Sequence, residues 1–95
     1  MKLIMIVVDA DRGEAVEDVL RRAHVAGYTE LPTVLGKGET GLKQGTRAFP
    51  GSSTMYLVAV PEPQAEAIVG ELAQVQESHP SDGLAVYGFD ATKML

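Results

Sequence analysis

Gly36-Lys-Gly-Glu-Thr-Gly41 is the stretch of this chain best suited to chemistry. Glycines at this spacing let backbone N–H groups approach an anion closely, and Lys37 adds a point charge. The run matches Gly-x-Gly-x-x-Gly, whose dinucleotide role requires a strand before it and a helix after it. A strand precedes it, but Leu42-Lys-Gln-Gly-Thr-Arg-Ala-Phe-Pro50 does not open a helix. That context argues against a dinucleotide fold. Leu42 also stands where a Walker A loop needs lysine. What stays is a glycine-rich backbone with Lys37, Lys43 and Arg47, able to wrap a small anion, set against the plain alternative of a solvated loop.

Other chemistry is sparse. His24 and His79 are the only histidines and there is no cysteine, whereas a metal centre needs three or four converging ligands. No Gly-x-Ser-x-Gly elbow occurs, and the carboxylates fall on helix faces where solvation explains them. Neither catalysis nor a metal site is expected.

The elements that must position the glycine run follow from periodicity. Leu3 to Val8 is a continuous apolar run within a strand read over Leu3 to Ala10, and Asp9, Asp11, Arg12 and Glu14 follow the run at once. It is read as a buried strand rather than an export signal. Asp11 and Glu14 form an Asp-x-x-Glu capping pattern ahead of a helix with Val16, Val19, Leu20 and Ala23 on one face. Gly27 is its expected stop. Thr29–Leu35 is a second strand in which Pro32 predicts an edge position or a bulge. From Gly36 to Ser53 lie five of the ten glycines, and a long loop at about 37–52 is read there as a flexible arm.

Thr54–Val60 is a third strand. Pro61-Glu-Pro63 opens a second helix with Ala65, Ile68, Val69, Leu72 and Val75 as its apolar stripe. Ser78 to Gly83 is a turn cluster, in which Asp82 before glycine builds the turn, and Leu84–Phe89 is a fourth strand. The order β-α-β-β-α-β predicts an α+β, ferredoxin-like fold over 1–95. It has a four-stranded antiparallel sheet with both helices on one face. The first and third strands carry apolar side chains on both faces, so the open face predicts self-association.

Composition sets the outer bounds. At 95 residues the chain holds one domain. Eight Lys and Arg against thirteen Asp and Glu give a net charge of −5, which disfavours a nucleic-acid partner. The longest apolar run is far short of the roughly 20 residues that cross a membrane. A cytoplasmic protein without membrane insertion is expected.

The order of elements, the Val34-Leu-Gly36-Lys-Gly38 strand exit, the return through Thr46-Arg-Ala-Phe-Pro-Gly51, and Ser81-Asp-Gly83 before the last strand together resemble the PII signal-transduction superfamily, within it the shorter PII-like proteins. The resemblance covers essentially the whole chain. It implies a homotrimer with sheets facing inward and an adenine nucleotide bound in the clefts between subunits. The nucleotide would be held by Gly36, Lys37 and Gly38 at the loop base and by Ser81, Asp82 and Gly83 before the last strand. It also implies that the loop, here with Lys43, Arg47 and Phe49, docks onto a transporter or enzyme.

Three features depart from the family pattern. Leu84 stands where the family has lysine after its turn, Thr40 stands where a glutamine helps hold metal and 2-oxoglutarate, and no tyrosine lies between Gly36 and Ser53 for uridylylation. With no lysine at 84 and no basic tail, AMP or ADP is expected over ATP, and no cofactor is required. A CutA-type divalent metal-ion protein of the same fold is the alternative.

Overall fold

The computed structural model describes residues 1–38, 41–43, 52–81 and 83–95. In chain order the elements are β1 (Lys2–Asp9), α1 (Gly13–Arg22), β2 (Thr29–Val34), β3 (Gly36–Gly38), β4 (Gly41–Lys43), β5 (Ser53–Val60), α2 (Glu62–Ser78) and β6 (Ala85–Asp90). Strands β2, β5, β1 and β6 lie in that order in one antiparallel sheet, the ferredoxin-like arrangement.

Alternation along the strands decides what is core. Ile4, Ile6 and Val8 of β1 are buried together with Tyr56, Val58 and Val60 of β5. They meet Val16, Val19 and Leu20 from α1 and Ala65, Ile68 and Leu72 from α2, so one layer of helices covers one face of the sheet. The α2 stripe was expected to include Val69, but that side chain is 44% exposed. It sits one position beyond Ile68, at the margin of the helix face that the sheet covers.

Both ends of α1 differ from expectation. Asp11 does not cap it: Ala10–Arg12 form a short 3-10 turn running into the helix, Arg12 takes the cap position, and no side-chain cap bond forms. Asp11 thus lies inside the turn rather than ahead of it. The stop is not Gly27 but His24, at φ 55°. The His24 N–H donates to the Arg21 carbonyl and the Val25 N–H to the Leu20 carbonyl, while Val25 packs on the core. This is the Schellman arrangement with histidine in the usual glycine position, close to the carbonyl end of the helix dipole.

Pro32 lies both at an edge and in a bulge. Strand β2 ends the sheet, and its pairing with β5 slips between Leu31 and Val34. The slip puts Thr33 at φ 60°, a costly conformation for a β-branched residue. Thr33→Gly is therefore expected to stabilise the fold by about 0.5–1 kcal/mol, after glycine's own entropic cost. A urea titration would show a higher midpoint at unchanged slope; a lower midpoint would mean that side-chain contacts of Thr33 outweigh its backbone strain.

The segment read as a loop without structure contains a short ribbon. Strands β3 and β4 pair antiparallel, Gly36 opposite Lys43 and Gly38 opposite Gly41. Glycines here pair through the backbone alone, so no side-chain period betrays them. Residues 44–51, where the flexible-arm expectation was centred, lie outside the described residues.

Candidate functional site

The sheet register places the two glycine clusters relative to each other. Val34 at the end of β2 pairs with Ser53, Ser53 pairs with Asp9, and Ala85 at the start of β6 pairs with Val7. The β2 exit, carrying Gly36, Lys37 and Gly38, and the turn carrying Ser81 and Gly83 thus share one end of the sheet. They leave from opposite edges, with β5 and β1 between them. At about 4.8 Å per strand the edges stand roughly 14 Å apart. Within one chain the sheet holds the strand ends that lead to the two clusters apart. Asp82, Arg47 and Phe49 lie outside the described residues.

Each cluster has a local scaffold. The bulge at Pro32 and Thr33 redirects β2 just before Gly36. On the return side, the Ala10 N–H donates to the Ser52 carbonyl at 3.0 Å, tying the chain back to the end of β1. The second cluster turns at Gly83, whose φ of 68° requires glycine. Gln76 on α2 donates from Nε2 to the Leu84 carbonyl at 2.9 Å and fixes the end of that turn. Leu84 is 7% exposed and packs in the core, so this position anchors the turn instead of bringing charge to it. Sequence reading missed Gln76, because a glutamine on a helix carries no signal of the carbonyl it will meet.

The face of the sheet away from the helices is apolar across its width. In register it presents Leu3 with Ala59 and Phe89, Met5 with Leu57 and Tyr87, and Val7 with Met55, Leu31 and Ala85. Tyr87 is 54% exposed, Phe89 49% and Leu31 40%. Contiguous apolar surface of this kind marks an interaction face.

Among the described residues no three His, Asp or Glu side chains gather to hold a metal ion. His24 ends α1 and His79 ends α2. No helix among those residues is long and apolar enough to cross a membrane.

Comparison with known proteins fits this geometry. No curated protein matches the chain. Among solved structures it is similar to CPII, a nitrogen regulatory PII-like protein from Thiomonas intermedia K12, bound to ADP, AMP and bicarbonate. The TM-score is 0.80 at 26% identity, over 95% of this chain and 84% of that one. A second structure of CPII, bound to ADP and bicarbonate, gives 0.79 at 27% identity over the same shares. A PII-like signalling protein from Thermus thermophilus, 21% identical over 93% of this chain and 83% of its own, shares the fold at a TM-score of 0.62. The family model described as nitrogen regulatory protein P-II matches residues 1–88. With that match spanning nearly the whole sequence, the chain belongs to the nitrogen regulatory protein P-II family.

Proposed function

We propose that this protein is a non-catalytic PII-like regulator of the cytoplasm. It assembles as a homotrimer, binds AMP or ADP in the clefts between copies, and signals ligand state to a partner protein through the segment that follows β2. The observation that carries the reading is the placement of Gly36–Gly38 and of Ser81 and Gly83 at one end of the sheet but at opposite edges. Neighbouring copies packed through their open faces would set the β2 edge of one beside the β6 edge of the next and complete the site. CPII, solved with ADP, AMP and bicarbonate, supports the ligand class. The P-II family match favours this reading over the metal-ion alternative.

In this cleft the lack of side chains at Gly36 and Gly38 lets a phosphate approach the main chain closely, and Lys37 supplies the charge that a chain of net −5 otherwise lacks. Gly83 lets the facing turn approach closely, with Ser81 as a hydroxyl donor and Asp82 shaping the turn. Lys43, Arg47 and Phe49 are the residues assigned to the contact with the partner, a transporter or an enzyme.

Calorimetric titration of wild type and Lys37→Ala with AMP, ADP and ATP tests the reading. Charge-assisted contacts to phosphate contribute about 1.5–3 kcal/mol each, so Lys37→Ala should weaken ADP roughly ten- to a hundredfold. ATP should bind more weakly than ADP, because Leu84 brings no cation to its outer phosphate. Equal ADP affinity in the two proteins would remove Lys37 and this cleft from consideration.

A further inference from the structure

A groove of about 590 Å³ runs between α2 and β6, toward the end of β1 remote from the loops. Ile4, Ala65 and Val86 form its apolar floor, and the exposed Val69 stands in its wall. It stays open because Gly70 and Gly88 line it, where an added Cβ would meet nothing within 4 Å. Glu62 and Glu66 lie on its rim one helical turn apart, a spacing at which like charges repel. Strand β6 beside it is an edge of the chain's own sheet.

The segment after β6 has the complementary chemistry. The Ala91 N–H donates to the Met1 carbonyl at 3.1 Å, which holds the start of the segment alongside the sheet. Thr92-Lys-Met-Leu95 then runs exposed, with Met94 87% accessible and Leu95 fully so. A cation thus stands next to two uncovered apolar side chains, and the groove offers an apolar floor with Glu66 on its rim, while Glu62 already lies within electrostatic reach of Lys2, a lining residue paired with Asp90 at 2.6 Å.

We propose that residues 93–95 of one copy dock in the α2–β6 groove of a second copy. Met94 and Leu95 cover Val69 and Val86, and Lys93 lies beside Glu66. Return of the segment to its own groove would need a tight turn at Ala91 and Thr92. Two-residue strand turns demand positive φ, which neither alanine nor a β-branched threonine adopts readily. The contact uses a different surface from the open sheet face and does not depend on nucleotide binding.

The chain has no cysteine, so an engineered pair reports the contact directly. In the full chain carrying Met94→Cys and Gly70→Cys, mild oxidation should give covalently linked products of two or more copies. They should form several times faster than in a chain carrying Met94→Cys with Glu14→Cys, an exposed position on α1. Adding Lys93→Glu should slow the bridge roughly two- to fivefold, and Glu66→Lys in the same chain should restore it. A bridged product of one chain's mass would show the segment on its own groove and overturn the proposal. So would a rate equal to that of the α1 control, which would leave the groove to some other occupant. Sedimentation of the same chain under reduction reads the sheet-face assembly separately, so failure of one does not imply failure of the other.

Discussion

Sedimentation equilibrium of the wild-type protein should return about three chain masses, and of Met55→Asp about one. Met55 lies on the open face between Val7 and Leu31 and outside the buried core. In a single chain an aspartate there reaches water and leaves the fold intact. In the proposed assembly it would be enclosed by a partner's apolar sheet, and an unpaired buried carboxylate costs several kcal/mol, comparable to the whole stability of a small domain. The variant should therefore lose assembly while keeping the far-ultraviolet circular dichroism of the wild type. An assembled Met55→Asp protein would place the interface elsewhere, and a monomeric wild type at micromolar concentration would refute the trimer.

Gly13→Ala should destabilise the protein, and its effect should change sign when Tyr56 is replaced by phenylalanine. Gly13 opens α1 in ordinary helical conformation, so nothing in its backbone requires glycine. Space does: an added Cβ would fall 2.6 Å from the Tyr56 hydroxyl. That hydroxyl is held. It donates to Glu17 Oε2 at 2.8 Å and reaches the Gly13 carbonyl at 3.3 Å. The ring is buried and meets Tyr28 edge-to-face at 5.7 Å. Burial and the neighbouring Glu17 carboxylate push the Tyr56 hydroxyl's pKa above the usual tyrosine value, so the hydroxyl stays protonated as a donor.

Forcing the alanine methyl against this group should cost about 1–3 kcal/mol. In Tyr56→Phe the oxygen is gone and the nearest ring carbon lies at an ordinary 3.7 Å. Gly13→Ala should then stabilise by up to about 1 kcal/mol, through the lower entropy of alanine in the unfolded chain. Urea titration of the four proteins completes the cycle. An equal loss in both backgrounds would mean that the hydroxyl is not what reserves this position for glycine.

These two sites also mark where the sequence could be read and where it could not. Alternation sorts β1 into Ile4, Ile6 and Val8 on one face and Leu3, Met5 and Val7 on the other, because strand geometry leaves side chains only two directions; both sets are apolar, so which of them is core is decided by the helices and not by spacing. The spacing of Val16, Val19 and Leu20 does fix the buried face of α1. The ends of elements are harder, since several chemistries compete there. The Asp11 pattern suited a cap, yet a 3-10 turn absorbed it, and His24 stopped the helix three residues before Gly27. The β3–β4 ribbon escaped because its outer pairs are glycine against lysine and glycine against glycine.

For the proposed site, residue types can be read and juxtaposition cannot. Gly36, Lys37 and Gly83 suit an anion-binding backbone by their chemistry. Which cluster would face which depends on strand order and, in the proposed assembly, on a second copy, and neither is written in local spacing. Gly13 and Tyr56 show the same limit within one chain, because a contact across 43 residues leaves no periodic trace.

The central claim is an adenine-nucleotide site that exists only where two copies meet. Titrating ADP into the wild-type assembly and into the Met55→Asp monomer tests it most directly. A saturable heat with about one ADP per chain in the assembly, and none in the folded monomer, is the predicted result. Equal ADP binding by monomer and assembly, or no heat from the assembly at millimolar ADP, would contradict it.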